Sequence, residues 1–149
     1  MPVIRPGHPR DLAEVAAIQA ASPEAAHWDA ADYLRYDFRV CLHHGRVAGF
    51  LVARRVAPDE SELLNLVVAP EFRRKGLARA LLQEFLTAPA TPGQAKACPT
   101  KSSLYLEVRE SNQAARNLYK SMGFQEVNIR PEYYQAPPEA AIVMKFHSC

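Results

Sequence analysis

The sequence predicts a mixed α/β fold, an α+β arrangement in which helices pack against a central sheet. Segments with the two-residue period of strands alternate with segments of helical period along the chain. Segment 63–69 is apolar, rich in branched residues and too short to cross a membrane, which is typical of a central strand. The chain has 149 residues, 48% of them hydrophobic, enough for one sizeable core. We therefore expect a single domain over residues 1–149.

The first part of the chain predicts a strand followed by two helices. Val3 and Ile4 begin the strand, and apolar residues then recur at helical spacing over 11–21. Asp29 is a good N-cap residue for a second helix over 29–36.

The single tryptophan, Trp28, stands directly before this second helix. It is placed to act as a hydrophobic staple or as a packing aromatic, because tryptophan buries much apolar area. It is equally placed to line a substrate cleft, and the sequence leaves these interpretations open.

A β-hairpin is predicted next. The apolar segments 38–42 and 47–55 flank four residues that include Gly45, a suitable turn residue. His43 and His44 invite a metal site, but adjacent residues on a strand point to opposite faces, and no further ligand has suitable spacing. We expect a surface role for both histidines and no metal.

The segment after the central strand predicts an anion site. Pro70 ends the strand, and a turn containing Arg73, Arg74, Lys75 and Gly76 leads into a helix with apolar residues at helical spacing. The amides of a helix N-terminus and its positive dipole end favour a phosphate, as do the cations beside them. The nucleotide-binding patterns GxxxxGK[ST] and GxGxxG are absent, so the phosphate-bearing ligand is of another kind.

The last part of the chain predicts a loop, three strands and a helix. Segment 87–103 is rich in proline, has no apolar period and is expected to be a flexible surface loop. In the strand 104–108, Leu104, Leu106 and Val108 face one side, while Tyr105 and Glu107 face the other.

The helix that follows is capped by Ser111 or Asn112 and is closed by Gly123. We expect a strand over 124–129, a loop over 130–139 and a final strand over 141–146.

Composition argues against several classes of protein. The net charge of +2 is too small for a general nucleic-acid or membrane binder, and no apolar segment is long enough to span a bilayer. The N-terminus lacks the apolar core of a signal peptide. The three widely spaced cysteines suggest neither a disulfide framework nor a zinc site. We expect a cytoplasmic protein with reduced thiols that is a monomer or a weak dimer.

The string RRKGLA resembles the [RQ]xxG-x-[GA] motif of the GNAT superfamily of N-acetyltransferases. Ala78 stands where that motif more often has its second glycine. The strings LYLEVRESNQAARNLYKSMGF at 104–124 and EVNIRPEYY at 126–134 are similar to the branch that acetylates the N-terminal alanine of a bacterial ribosomal protein. The resemblance implies about seven strands and four helices, with a splay between the fourth and fifth strands where acetyl-CoA binds.

The resemblance also implies the roles of individual residues. Glu107 matches the general base, acting directly or through water, and Tyr119 matches the general acid. The main chain of Leu66, Val67 and Val68 and the side chain of Asn112 match contacts to the pantetheine arm. The residues matching the pyrophosphate turn are Arg73, Arg74, Lys75, Gly76, Leu77, Ala78 and Arg79. Tyr133 and Tyr134 match a tyrosine pair that frames the acceptor peptide.

Each of these roles has a structural alternative. Glu107 would otherwise be an ordinary strand carboxylate paired with Arg109 or another neighbour. Tyr119 would otherwise be a core tyrosine, and Asn112 a helix cap, which is compatible with a cofactor contact. The chemistry favours the proposed acid, because an unperturbed phenol has a pKa of about 10 and donates a proton without being ionised at neutral pH.

The resulting expectation is an enzyme that transfers acetyl from acetyl-CoA to the N-terminal α-amine of a protein, plausibly a ribosomal protein beginning with alanine. Three alternatives stay open: acetylation of a small amine or a lysine side chain, an acyl-CoA-binding module without catalysis, and RNA binding through Arg73, Arg74 and Lys75.

Overall fold

The computed structural model describes residues 2–23, 25, 28–87, 102–135 and 138–148. The strands are β1 Val3–Pro6, β2 Asp37–His43, β3 Arg46–Ala57, β4 Glu60–Val68, β5 Ser102–Arg109, β6 Gln125–Gln135 and β7 Pro138–Ser148. The α-helices within the described ranges are α1 Leu12–Ala20, α2 Leu77–Thr87 and α3 Gln113–Ser121. Short 3-10 helices span Pro9–Asp11, Ala30–Arg35 and Pro70–Phe72.

The strands form one seven-stranded mixed sheet in the order β1-β2-β3-β4-β5-β7-β6. The predicted mixed α/β class is therefore confirmed. The chain divides into two compact units, which we name the N-terminal unit (within Met1–Arg54 and Leu64–Ala97) and the C-terminal unit (within Arg55–Leu63 and Cys98–Cys149). None of the helices in the described part of the chain is long and apolar enough to cross a bilayer.

The N-terminal unit contains the predicted hairpin. β2 pairs with β3 antiparallel, and His43 lies opposite Arg46 across the turn. The two turn residues, His44 and Gly45, both have positive φ, at 53° and 77°. This matches a two-residue turn whose twist suits the flanking strands, and it explains why glycine is present.

The core of the N-terminal unit forms between α1, the 3-10 helix Ala30–Arg35 and the strands. Asp29 caps that 3-10 helix by accepting a hydrogen bond from the Ala31 amide at 3.1 Å, so the predicted cap is confirmed. The buried side chains of this core are Val15, Ile18, Tyr33, Phe38, Val40, Val47, Phe50, Val52, Leu64, Val67 and Ala69.

The C-terminal unit is built on β5. This strand pairs parallel with β4 over Glu60–Leu63 and antiparallel with β7, which in turn pairs antiparallel with β6. The predicted alternation holds, since Leu104, Leu106 and Val108 are buried whereas Tyr105 and Glu107 are only partly buried.

The prediction of a loop over 130–139 is wrong. β6 continues to Gln135 and β7 begins at Pro138, while residues 136–137 lie outside the described part of the chain. Pro131 suggested a break because it has no amide to donate to a ladder. β6 is an edge strand, and its register with β7 is irregular between Arg130 and Tyr134, which accommodates a proline.

The proline-rich segment 87–103 falls mainly on residues that the structure does not describe. At its ends the structure corrects the expected bounds, because Thr87 still belongs to α2 and Ser102 already belongs to β5. Its central part, 88–101, lies outside the described residues.

Candidate active site

The turn before α2 has the geometry of an anion site. Arg74 and Gly76 have φ values of 66° and 76°. The residues directly before and after Lys75 therefore both have a left-handed backbone conformation. The first helical hydrogen bond runs from the Ala80 amide to the Gly76 carbonyl at 3.0 Å. The amides of the first helical turn have no acceptor inside their own helix, and such turns form cradles for anions.

Space above this turn is open. A Cβ atom built on Gly76 would have nothing within 4 Å, so a side chain there would project into the volume in front of the turn. The exposed Arg74 and Lys75 lie beside this open space, and the binding of a pyrophosphate by the turn stays a prediction.

Arg73 has a structural role in this turn. Its Nε donates to the Val68 carbonyl at 3.1 Å, and its Nη2 donates to the hydroxyl of the fully buried Ser22 at 3.0 Å. The side chain thus ties the turn to the end of β4 and to the segment after α1. A contact of Arg73 with the cofactor stays a prediction.

The end of β4 lies unusually close to β3. A Cβ on Gly49 would meet the Val67 carbonyl oxygen at 2.8 Å and the Val68 Cα at 3.3 Å. Only glycine allows this approach, because both contacts are main-chain atoms that cannot move aside. The predicted pantetheine contacts of Leu66, Val67 and Val68 are not tested by this geometry. What the geometry shows is that the main chain of Val67 and Val68 packs tightly against β3 at Gly49.

A buried polar network, absent from the sequence predictions, lies in the same unit. Tyr33 donates a short hydrogen bond to Gln19 Oε1, and Asn65 Nδ2 donates to the same oxygen at 3.1 Å. Gln19 Nε2 donates to the Trp28 carbonyl at 2.6 Å. The available signal was Asn65, a single polar residue within the otherwise apolar segment 63–69.

This network binds the main-chain carbonyl of Trp28, while the residue stays 48% exposed. Nearly half of the residue's surface is in solvent, so Trp28 is not part of the buried core, and its interpretation as a staple or packing aromatic stays a prediction. A role for Trp28 in binding a substrate stays a prediction.

Glu107, the predicted base, lies on β5 in the C-terminal unit. Its Oε1 accepts a hydrogen bond from Arg130 Nη1 at 3.1 Å, and its side chain is only 21% exposed. Its Oε2 is buried and has no hydrogen-bond partner among the described residues. Arg109 pairs instead with Glu139 at 3.3 Å, so the cation that holds Glu107 is Arg130 and not its near neighbour in sequence.

The pKa of Glu107 is raised above its ordinary value. Burial is the largest cause, and the negative charge of Glu62 adds to it. The charge of Arg130 and hydrogen bonds from Tyr133 and Arg130 act in the opposite direction and lower the pKa. A carboxylate with a raised pKa is better matched to proton transfer near neutral pH than an ordinary one.

The Arg130 guanidinium lies over the Tyr133 ring, with Cζ 4.4 Å from the ring centroid. Burial and the charge of Glu107 raise the pKa of the Tyr133 hydroxyl. Tyr134 lies in β6 opposite Glu139. Both tyrosines were expected in a loop and lie in a strand, and their predicted contact with an acceptor peptide is not tested by this placement.

Tyr119 is buried in α3, with 7% of its surface exposed. Its ring is tilted against Phe124 with centroids 5.5 Å apart, and Phe124 contacts Phe146 at 5.2 Å. The core-packing interpretation is therefore confirmed for the ring, while the proposed acid function of the hydroxyl stays a prediction. Asn112 caps α3 by accepting from the Ala115 amide at 3.2 Å.

Sequence reasoning overlooked Arg130, although it lies within the string EVNIRPEYY. Its signal was weak, since an arginine before a proline is typical of a strand end or a turn. In the described part of the chain, no group of three or more histidine, cysteine or acidic residues is arranged to hold a metal ion.

Comparison with known proteins identifies the family of this chain. The model of the Acetyltransferase (GNAT) family matches residues 10–124. The ribosomal protein bS18-alanine N-acetyltransferase of Escherichia coli strain K12 is 41% identical over 103 residues, which are 68% of this chain and 64% of that protein. The protein of that name from Haemophilus influenzae is 35% identical over 106 residues, 69% of this chain and 66% of its own length. The chain thus spans roughly two thirds of the length of these curated relatives, and just under that share of the first.

Solved structures of acetyltransferases are also similar to this chain. The ribosomal-protein-S18-alanine N-acetyltransferase from Escherichia coli matches with a TM-score of 0.77 at 32% identity, covering 99% of this chain and 94% of that one. Ard1 from Thermoplasma volcanium matches with a TM-score of 0.84 at 29% identity, covering 99% and 98%. The seven-stranded mixed sheet with its parallel β4–β5 pair is thus the expected GNAT fold. The chain belongs to the GNAT family of acetyltransferases.

Proposed function

We propose that this chain is an enzyme that transfers the acetyl group of acetyl-CoA to the N-terminal α-amine of a protein. The observation that carries the proposal is Glu107, a largely buried carboxylate with one oxygen held by Arg130 and the other without a partner in the described part of the chain. Family membership and the similarity to alanine N-acetyltransferases support the type of reaction.

The turn 73–79 would hold the pyrophosphate of acetyl-CoA. The amides of Gly76, Leu77 and Ala78 would donate to it, with Arg74 and Lys75 supplying positive charge. Acetyl-CoA supplies a thioester, whose carbonyl carbon is open to attack by an amine. In our proposal Leu66, Val67 and Val68, through their main chain, and Asn112 contact the pantetheine arm.

Proton transfer would be divided between two residues. Glu107 takes a proton from the acceptor α-ammonium group, directly or through one water molecule, which gives the neutral amine that attacks, and Tyr119 gives a proton to the departing thiolate. A phenol suits the second role because its unperturbed pKa of about 10 exceeds that of a thiol, about 8.5, so it stays protonated until the thiolate forms.

The acceptor follows from the same proton chemistry. A peptide α-amine has an unperturbed pKa of about 7.7–8.0, so about a tenth or more is neutral at pH 7, whereas a lysine amine, near 10.4, is almost wholly charged. One carboxylate with a raised pKa is sufficient for the α-amine. A ribosomal protein beginning with alanine is the acceptor that the curated relatives suggest.

Trp28 and the tyrosines at 133 and 134 are our candidates for contacts with the first residues of the acceptor. Tyr133 belongs to the C-terminal unit with Glu107, and Trp28 is an exposed side chain of the N-terminal unit. Alanine substitution of each, assayed by KM for the peptide, tests them separately. A cytoplasmic location and a monomeric or weakly dimeric state stay predictions.

Intact-mass analysis tests the proposal. The chain is incubated with acetyl-CoA and peptides that begin with alanine or serine and carry an internal lysine, and with free polyamines and amino acids. We expect one acetyl group, on the N-terminal amine, with alanine- and serine-starting peptides preferred. Acetyl found only on lysine or on the small amines would replace this proposal with that acceptor class.

A further inference from the structure

The contact between Glu107 and Arg130 divides the two oxygens of the carboxylate into different roles. Arg130 Nη1 donates to Oε1 at 3.1 Å, whereas Oε2 is buried without a hydrogen-bond partner in the described ranges. A buried oxygen that lacks a partner costs free energy, so its persistence in a folded protein suggests a ligand or a reaction.

Strand register places Arg130 where it can hold Glu107. Glu107 lies opposite Val143 on β7, and Val143 lies opposite Asn128 on β6. Arg130, two residues beyond Asn128, therefore projects to the same face of the sheet as Glu107.

The irregularity of β6 begins at Arg130 and brings the Tyr133 ring beneath the guanidinium, at 4.4 Å. A cation held by a carboxylate on one side and by an aromatic ring on another has a fixed orientation. Arg130 therefore keeps a defined position although its side chain is 51% exposed.

A second carboxylate lies on the same face. Glu62 of β4 is opposite Tyr105 of β5, which shares its face with Glu107. The charge of Glu62 acts on Glu107 strongly enough to help raise its pKa. Glu62 therefore adds negative charge close to the carboxylate of Glu107.

We propose that Arg130 is a positioning residue for the base Glu107. By holding Oε1 it leaves Oε2 as the atom that takes the proton from the acceptor α-ammonium group. The step is balanced: the N–H bond breaks, an O–H bond forms at Oε2, and a neutral amine and a neutral carboxylic acid result. This inference rests on the proposed function, because it assumes an α-amine acceptor.

Arg130 also sets the pH range in which Glu107 acts. The charged groups that act on Glu107 are Glu62 from β4 and Arg130 from β6, and the Tyr133 hydroxyl, also on β6, forms a hydrogen bond with it.

Two other cations on this face interact with other residues. Lys145 lies over the Tyr105 ring at 5.1 Å, and Arg109 pairs with Glu139. Of these groups Arg130 is the one that favours the ionised carboxylate by its charge, so its removal raises the pKa of Glu107.

The test compares Arg130→Gln with Arg130→Lys and with a matched control. Arg116→Gln removes another arginine that pairs with a β6 residue, since Arg116 Nη2 binds Glu126 at 2.9 Å. Carbon-13 NMR of labelled glutamate, with Glu107 assigned by its Gln variant, follows the Glu107 carboxyl through a pH titration. Initial rates with an alanine-starting peptide give kcat/KM over the same pH range.

We expect Arg130→Gln to move the Glu107 titration and the acidic limb of kcat/KM together to higher pH. An opposite charge within about 4–6 Å lowers a carboxyl pKa by about 1–3 units, so at the lower end of this range kcat/KM falls about tenfold at acidic pH and recovers at alkaline pH. Arg130→Lys should restore most of the loss, and Arg116→Gln should change neither readout.

The outcomes separate the two proposals. If the wild-type protein acetylates the peptide but Arg130→Gln leaves the Glu107 titration and the pH profile unchanged, the positioning role is wrong. If the wild-type protein acetylates no peptide N-terminus, the proposed function is wrong, and the assignment of Oε2 to an α-amine falls with it.

Discussion

Glu107 and Tyr119 occupy opposite faces of β5. Glu107 shares its face with Tyr105, whereas the Tyr119 ring packs on Phe124 and through it on Phe146, which lies opposite Leu104 on the other face. In the proposed function, Glu107 would therefore take a proton on one side of β5 and Tyr119 would give a proton on the other.

The first prediction concerns the turn before α2. We expect Gly76→Asp to weaken CoA binding at least about tenfold, about 1.4 kcal/mol, because it adds a negative charge in the open space before the amides. Calorimetric titration with CoA measures the change.

Gly45→Asp is the matched control for this substitution. Gly45 also has positive φ, at +77°, and a Cβ placed there would likewise meet open space, but this glycine lies in the β2–β3 hairpin. Both variants therefore carry the same backbone strain, and only Gly76→Asp should lose affinity. Equal affinities in the two variants would move the CoA site away from this turn.

The second prediction concerns the proton donor. We expect Tyr119→Phe to bind CoA as tightly as the wild-type protein and to turn over about 10²–10⁴-fold more slowly, because only the hydroxyl is lost. The ring that packs on Phe124 is kept, so the fold should persist. Tyr36→Phe, at an exposed tyrosine, is the control for loss of a phenol. Unchanged turnover in single-turnover assays would leave Tyr119 with a packing role alone.

The third prediction concerns Glu107 as a base. We expect Glu107→Gln to lose about 10²–10⁴-fold in kcat/KM at about pH 6 and much less at about pH 9, where the α-amine is already neutral. Initial rates with an alanine-starting peptide across this range measure the effect. A loss that is the same at every pH would argue against proton transfer by this residue.

The same residue links stability to pH. Burial raises the pKa of Glu107 above its ordinary value of 4.5 in the folded protein, so the folded state holds the proton more firmly than the unfolded chain does. The contribution of Glu107 to stability is therefore fully present below pH 4.5 and is lost as the pH rises through the folded pKa.

Urea unfolding at about pH 4.5 and about pH 8 tests this linkage. The free energy of unfolding of the wild-type protein, relative to that of Glu107→Gln, should fall between the two values of pH. A difference that does not change with pH would mean that burial does not perturb the carboxyl.

The fourth prediction concerns the polar network beneath Trp28. Tyr33→Phe removes the donor to Gln19 in a site where both side chains are buried, so we expect a loss of about 1–3 kcal/mol in the free energy of unfolding. Tyr36→Phe should cost less than about 0.5 kcal/mol, because that tyrosine is exposed. Since Trp28 is the single tryptophan, its fluorescence should also shift in Tyr33→Phe, and an unchanged spectrum would show that the network does not hold it.

Local patterns predicted those parts of the fold whose structure depends on neighbours in sequence. The turn at Gly45, the cap at Asn112 and the alternation along β5 each follow from a few adjacent residues, and all are confirmed. The extension of β6 past Pro131 could not be predicted in this way, because pairing with β7 and a position at the sheet edge decide it.

The residues of the candidate site divide in the same way, into those that a local pattern predicts and those whose contacts depend on distant segments of the chain. Glu107 and the turn at Gly76 were predicted from the sequence because two separate strings resemble the family, LYLEVRESNQAARNLYKSMGF for Glu107 and RRKGLA for the turn. Arg130 was overlooked because its meaning depends on a strand register that no local pattern contains. The Gln19–Tyr33–Asn65 network was overlooked for a related reason, as its members come from three separate segments of the chain.

The hydrogen bonds of Arg73 bear on how CoA binding should respond to ionic strength. At about 0.1 M salt, charges on the surface are screened beyond about 10 Å, so if the exposed Arg74 and Lys75 bind CoA as proposed, their part of the affinity should weaken as salt is added. The main-chain amides at the start of α2 act at contact distance and are far less affected. Arg73 already binds the Val68 carbonyl and the Ser22 hydroxyl, so it should add less to the salt-sensitive part than its charge suggests.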